Sequence, residues 1–256
     1  DDKGLEFRSP FDGSLQFLDP KKAIKIQQTL GSDVAMMLDH MPLYGKSEEE
    51  VLEATERTHK WAKEAIDNRT KTKQLLFGIA QGGTFPQMRR SSVEFISKLP
   101  FDGFALGGLG IGEPREKTIE MMEIGAKIFP EEKPRYLMGV GSYQEILESV
   151  ERGFDVFDSI WPTKNARHGK IMTSKGYTNI DNSQNKKNLK PLDENCSCFV
   201  CKNYTRSYLH HVFKMKEPLA MQLLTHHNLY TMHNFMKKIR QAIKEKKFES
   251  LKNIYL

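Results

Sequence analysis

Cysteine is scarce: three occur in 256 residues, Cys196, Cys198 and Cys201. An odd number packed so closely builds no disulfide framework, so the cluster implies a reducing compartment, the cytoplasm, and a metal knuckle. No apolar run approaches the ~20 residues of a membrane span, and no signal-like leader opens the chain. Internal repeats and low-complexity tracts are lacking too. No glycine cluster matches a dinucleotide fingerprint or a P-loop. Within these 256 residues the pattern is not that of a disulfide scaffold, of a membrane-spanning helix or of the common nucleotide-phosphate motifs.

What is present has the balance of a soluble globular protein, 38% hydrophobic and 28% charged, with ample material for a core. Its length suits one large α/β barrel or two ordinary domains. The net charge of +6 is unevenly spread. Residues 160–256 hold 18 Lys/Arg against 6 Asp/Glu, whereas residues 1–159 carry a net −6. A basic half joined to an acidic half fits a polyanionic partner docking on one side, and equally a solvated lysine-rich surface.

A strand followed by a helix recurs along the chain. Strands are expected in "SDVAMMLD" (32–39), "QLLFGIAQGG" (74–83), "FDGFALGGLG" (101–110), "RYLMGVGS" (135–142) and "GFDVFDSIW" (153–161). Helices are expected from Ser47, which has capping-box spacing to Glu50, from the Gly-Gly turn to Ser97, over 114–129 and over 143–153. The strands are almost continuously apolar, as when both faces are buried in a parallel sheet. A doubly wound sheet and a closed barrel both fit this pattern, and five strands are counted where a barrel requires eight.

Asp39, Gln81, Gly107-Gly108, Gly139 and Asp158 all fall at carboxyl ends of these strands. In a parallel barrel those ends converge on the face that carries active sites. Either aspartate alone could be a helix N-cap, and Gln81 could tie down a loop or pair with the edge of a planar base. Together they would surround one pocket. The glycines permit close approach of backbone to a ligand, although Gly-Gly also makes plain turns. In "FDSIWPTKNARHG" (157–169), Asp158 precedes a Pro-Thr-Lys turn and then Arg167 and His168. A carboxylate among cations has a chemical rationale if it attacks an anomeric carbon while the cations hold a nucleic acid. Cys196-x-Cys198-x2-Cys201 with one imidazole would form a closed tetrahedral zinc site, structural rather than catalytic. His226, His227, His210 and His211 all compete for the fourth position.

"GSDVAMMLD", "FGIAQGG", "FDGFALGGLGIGE", "RYLMGVG", "FDSIWPTKNARHG" and "CSCFVC…HHN", in this order, resemble tRNA-guanine transglycosylase of the bacterial and eukaryotic queuosine type. The GGLxxGE pattern at 107–113 separates it from the archaeal branch. The resemblance runs from Phe7 nearly to the C-terminus. It implies a (β/α)8 TIM barrel with an inserted zinc subdomain, and exchange of guanine at the first anticodon position of tRNA for a 7-deazaguanine base. Residue by residue it implies Asp158 as the nucleophile on the ribose. Asp39, Gln81, Gly108 and Leu109 would recognise the base, Met138 and Gly139 would form part of its stacking wall, and Lys164 and Arg167 would grip the anticodon loop. Cys196, Cys198, Cys201 and His227 would hold structural zinc. The partners implied are tRNA, the free base, and a second chain in a homodimer or heterodimer. On this basis 1–182 is expected to be a partial barrel, 183–227 the zinc subdomain and 228–256 a C-terminal helix packing back on the barrel. Base flipping and single-stranded loop readout suit such chemistry.

The sequence departs from the family at its front. The family's Asp-Ser-Gly-Gly motif, whose aspartate is the implied general acid/base, does not occur, and the first residue is Asp1. The expectation is therefore a barrel short of three N-terminal strands, with open sheet edges. His40-Met41 stand where bacterial members have smaller or acidic residues. Ile111 stands where queuine-accepting members have glycine, which points to the smaller aminomethyl base, prequeuosine base. Two other functions also fit: a non-catalytic tRNA-binding partner subunit, and a zinc-stabilised RNA-binding module without barrel chemistry.

Overall fold

Leu75–Ala80 buries every residue after its first, and it occupies the interior of a parallel sheet. The structure is a computed structural model that describes residues 1–70 and 73–256. The chain divides into two compact units: Asp1–Gly139 with Glu148–Asp158, and Val140–Leu147 with Ser159–Leu256.

The first unit opens with an antiparallel hairpin, β1 (Leu5–Arg8) and β2 (Leu15–Leu18), that the sequence reading did not anticipate. Helix α1 (Pro20–Leu30) follows, capped by Asp19, whose carboxylate accepts from Lys22 N at 2.6 Å. Strands and helices then alternate: β3 (Val34–Met36), α2 (Glu48–Asp67), β4 (Leu75–Ala80), α3 (Pro86–Ser97), β5 (Gly103–Leu106), α4 (Arg115–Ile128), β6 (Arg135–Leu137), α5 (Tyr143–Glu151) and β7 (Val156–Phe157). The division between the units falls within α5.

The five strands β3 to β7 are parallel, and their spatial order is their chain order. A doubly wound sheet reverses direction at a switch point, whereas a barrel adds each strand on the same side as the last. The topology is thus that of an incomplete (β/α) barrel, which decides between the two architectures the sequence left open. The end strands β3 and β7 each have one paired edge among the described residues. Val34 and Val156 there are 37% and 38% exposed.

Local chemistry accounts for the helices. The expected Ser47–Glu50 capping box forms in both directions, satisfying two orphan donors at the start of α2, and three glutamates favour its positive end. Val51, Ala54, Thr58, Trp61, Ala62 and Ala65 recur at helical spacing and form its buried face. Helix α3 starts with Pro86, whose missing N–H costs nothing in a first turn.

The second unit contains α6 (Trp161–Arg167), the hairpin β8 (Lys170–Thr173) and β9 (Gly176–Asn179), a 3-10 turn at Ser183–Asn185, then α7 (Phe199–Asn203), α8 (Arg206–Lys214), α9 (Pro218–Lys244) and α10 (Phe248–Tyr255). Trp161, expected as the end of the last strand, instead opens α6, and the Pro-Thr-Lys segment is helical rather than a free turn. Pro162 sits where a helix tolerates it. Ala166, Ile171, Ile180, Leu192, Val200, Leu209 and Leu224 form the buried cluster of this unit. Asn228 on α9 fastens it: its amide donates to Pro162 O and Lys170 O, each at 3.0 Å, and accepts from Met172 N at 3.0 Å. Among the described residues no helix is long and apolar enough to cross a membrane.

Candidate active site and metal centre

Five strand ends of the first unit carry the candidate pocket residues. After β3 the chain delivers Asp39, and after β4 it delivers Gln81, which is wholly buried. Gln81 Nε2 donates to Asp39 Oδ2 at 2.5 Å. Desolvation raises the Asp39 carboxyl above its ordinary value, and the Gln81 bond only partly offsets that. Gln81 Oε1 is buried with no partner in the protein, an acceptor that a ligand donor would satisfy.

The Gly107-Gly108 pair after β5 lies directly against this amide. A Cβ at Gly107 would sit 2.4 Å from Gln81 Nε2, and one at Gly108 2.6 Å from Gln81 Oε1. Gly108 also has φ +70°. Both positions therefore require glycine for the backbone to reach the amide. Leu109 is buried behind them. The loop is then fixed by Glu113, whose carboxylate accepts from Gly110 N at 2.6 Å, Ile111 N at 3.0 Å and Thr118 Oγ1 at 2.6 Å.

Asp158 follows β7 and is exposed. Its Oδ1 accepts from Tyr136 Oη at 2.6 Å and from Gly139 N at 3.0 Å. Its Oδ2 has no hydrogen bond to the described residues, so one oxygen is held and the other is free. Met138 is half-buried beside Gly139. An added Cβ at Gly139 would lie 3.5 Å from Leu109 O, which places the 107–110 loop beside the backbone that holds Asp158. Gln81 thus contacts both Asp39 and the Gly107-Gly108 backbone, and Gly139 contacts both Asp158 and the glycine loop.

Lys164 and Arg167 belong to the second unit, exposed and three residues apart on α6. In the same unit Cys196, Cys198, Cys201 and His227 bring their ligand atoms within 4.8 Å of one another, a group able to hold a metal ion. His227 Nδ1 lies 3.4 Å from the sulfurs of Cys198 and Cys201 and 3.8 Å from that of Cys196. Its other nitrogen, Nε2, lies 2.8 Å from Met172 O. A proton on Nε2 leaves Nδ1 as the ligand atom, the arrangement that orients metal-binding histidines generally. Three thiolates and an oriented imidazole fit a closed tetrahedral site. Of the competing histidines, His226 packs edge-on against Phe199, His210 Nδ1 lies 2.8 Å from Ile180 O, and His211 is exposed and outside the cluster.

Sequence reasoning missed Tyr136, Glu113, Arg89 and Ser92. The last two support Gln81 from α3: Arg89 donates to the carbonyls on either side of its turn, and Ser92 Oγ accepts from Gln81 N at 3.0 Å. Two of them left a trace: Glu113 as the last residue of the GGLxxGE pattern, and Tyr136 as a polar-tipped aromatic two residues before Met138.

A family model described as queuine tRNA-ribosyltransferase matches residues 1–256. The chain is 49% identical over 253 residues to a queuine tRNA-ribosyltransferase of Thermotoga petrophila, covering 99% of this chain and 69% of that protein. It is 45% identical over 256 residues to one from Dehalococcoides mccartyi, covering all of this chain and 65% of that protein. One from Halothermothrix orenii is 45% identical over 244 residues, 95% of this chain and 65% of that protein. With this match along its whole length, the chain belongs to the queuine tRNA-ribosyltransferase family, a family of transferases.

Proposed function

We propose that the first unit exchanges guanine at the first anticodon position of tRNA for a 7-deazaguanine base, with Asp158 as the nucleophile. The observation that carries this reading is the division of labour within one carboxylate. Oδ1 is anchored by Tyr136 and Gly139 while Oδ2 is free at an exposed strand end. A held but partly free carboxylate is the geometry that double displacement requires. Oδ2 attacks the ribose C1′, the C1′–N9 bond breaks, and its electron pair leaves on guanine. The incoming base then attacks C1′ through N9 and restores the carboxylate. N9 of the leaving base gains a proton and that of the incoming base loses one. The Asp-Ser-Gly-Gly aspartate implied for that transfer is not among these 256 residues.

Asp39 and Gln81 read the edge of the base, Gly108 and Leu109 offer backbone groups to it, and Met138 with Gly139 forms part of the wall on which it stacks. Ile111, half-buried in the glycine loop, crowds a bulky C7 substituent, so the aminomethyl base is the preferred substrate over queuine. In the second unit, zinc holds the Cys3His group together and residues 183–227 form the subdomain around it. Lys164 and Arg167 contact the anticodon loop. The active species is a dimer, homomeric or with a related subunit, acting in the cytoplasm.

The test is release of labelled guanine from the first anticodon position of a stem–loop RNA on addition of each deazaguanine base. Release driven faster by the aminomethyl base upholds the reading, and faster turnover of queuine overturns the Ile111 argument. RNA binding without release under either base favours the non-catalytic partner subunit.

A further inference from the structure

One cation in the first unit is completely buried. Arg89, in the first turn of α3, is 0% exposed, yet its guanidinium bonds no carboxylate among the described residues. Nη1 donates to Ala80 O at 2.8 Å and Nη2 to Gly83 O at 2.7 Å, while Nε is left without a partner. The planar fork therefore spans the turn that carries Gln81, gripping the carbonyl before it and the carbonyl two residues after it. Gly82, between them, has φ +117°, and a Cβ there would lie 2.6 Å from Arg89 N. One helical turn along α3, Ser92 Oγ accepts from Gln81 N at 3.0 Å. The same hydroxyl lies 3.0 Å from His59 Nε2 on α2. Burial pulls His59 down to about 4, so it is neutral at pH 7 and its bond to Ser92 carries no charge.

Placing a guanidinium here is unfavourable for the fold. Removing it from water with no carboxylate bonded to it is costly, and desolvation, only partly offset by the charge of Glu113, lowers it to about 9, still charged at neutral pH. An apolar side chain of similar length would fill the volume without that penalty. What the arginine adds is geometry: two rigid, coplanar donors that lysine cannot reproduce. They are spent on the two carbonyls, Ala80 O and Gly83 O, that flank Gln81, the residue that bonds Asp39 and lies against Gly107 and Gly108.

We propose that Arg89 and Ser92 are positioning residues of the base pocket, fixing the 80–83 backbone so that the Gln81 amide is preset for a planar heterocycle. Neither touches the ligand; both act through Gln81. This rests on the reading of that pocket as the base site. The consequence is selective: loosening the turn weakens capture of the base and leaves the RNA contacts as they were.

The test compares the wild-type chain with Arg89→Lys, Arg89→Met and Ser92→Ala, measuring KM for guanine and for the anticodon stem–loop separately. Amide hydrogen exchange at residues 80–83 is followed in parallel. Arg89→Met is expected to raise the guanine KM by about ten-fold or more with the stem–loop KM unchanged, the size of one or two lost hydrogen bonds. Arg89→Lys recovers part of that loss, and Ser92→Ala gives a rise of a few fold with faster exchange at Gln81. An equal loss in both KM values, or wild-type guanine KM in the folded variants, overturns the proposal. Should Arg89→Met fail to fold, Ser92→Ala decides. Should the wild type exchange no guanine, the proposed function fails while the clamp is still judged: unchanged amide exchange at 80–83 in Ser92→Ala and Arg89→Lys overturns it.

Discussion

The Tyr136 hydroxyl and Asp158 Oδ1 are 2.6 Å apart, one hydrogen bond joining neighbouring strands at the carboxyl end of the sheet. Because Gly139 N bonds the same oxygen, the carboxylate is held at one end and its Oδ2 is aimed by that grip. The bond also keeps the phenol protonated, since burial and then the adjacent carboxylate push Tyr136 well above its ordinary value. Tyr136→Phe keeps the ring and removes only the grip. It is expected to lower kcat by roughly ten-fold, the value of one charge-assisted hydrogen bond, with guanine KM and melting temperature nearly unchanged. Unaltered kcat would show that Gly139 suffices.

Asp39 gives a pH-dependent prediction. Desolvation raises its pKa in the folded state, so the folded protein holds a proton that the unfolded chain releases. Stability is therefore lost as pH rises from the unfolded value toward the folded one, and stays reduced above it. Asp39→Asn cannot ionise and still accepts from Gln81. It should melt higher than the wild type at pH 7, with the gain vanishing as pH falls below the ordinary carboxylate range. If Asp39 reads the base edge as proposed, the same substitution should weaken base binding by roughly ten- to hundred-fold, because an amide N–H₂ stands where a carboxyl oxygen met the base N–H groups. Thermal melts across pH and binding titrations with guanine check both halves.

For the metal centre, the expected content is one zinc per chain by elemental analysis, lost in Cys198→Ser and His227→Ala and retained in His226→Ala. Cys198 also caps α7 through its bond from Cys201 N at 3.3 Å. Chelation should therefore melt α7 and its contacts in the second unit, at a cost of several kcal/mol. Metal retained in His227→Ala would mean that another group takes the fourth position.

Along α9, Lys237, Arg240 and Lys244 are exposed and recur three and four residues apart on one helical face, with no ion pair to any described residue. Phosphate contacts of this kind appear in the salt dependence of RNA binding. Each contact removed flattens the slope of log K against log salt by about 0.7 to 0.9. Lys237→Glu with Lys244→Glu should flatten it by more than one such step and weaken binding at low salt. An unchanged slope would assign that stripe to solvent.

The five parallel strands were legible because burial on both faces leaves them nearly continuous apolar runs, and the strand-end positions of Asp39, Gln81 and Asp158 followed from them. The hairpin β1–β2 was not: Leu5–Arg8 is exposed at all four positions, so no burial pattern marks it. Val156–Phe157 was read too long, over 153–161, because Ile160 and Trp161 look like strand continuation, yet Trp161 opens a helix. Tyr136, Arg89 and Ser92 stayed hidden for another reason. Tyr136 acts on a residue 22 positions away, and Ser92 on one 11 away, pairings that exist only once strands and helices are stacked. The choice of His227 over its neighbour likewise became a geometric fact only where α9 turns one imidazole inward.

The central claim is that Asp158 becomes covalently attached to RNA. It is tested by incubating the chain with an anticodon stem–loop and a deazaguanine base and resolving the mixture on a denaturing gel, beside Asp158→Asn. The account predicts a protein–RNA band that survives denaturation, is absent from Asp158→Asn, and disappears when excess base completes the exchange. A band that persists in Asp158→Asn, or guanine release at the wild-type rate in that variant, would contradict it.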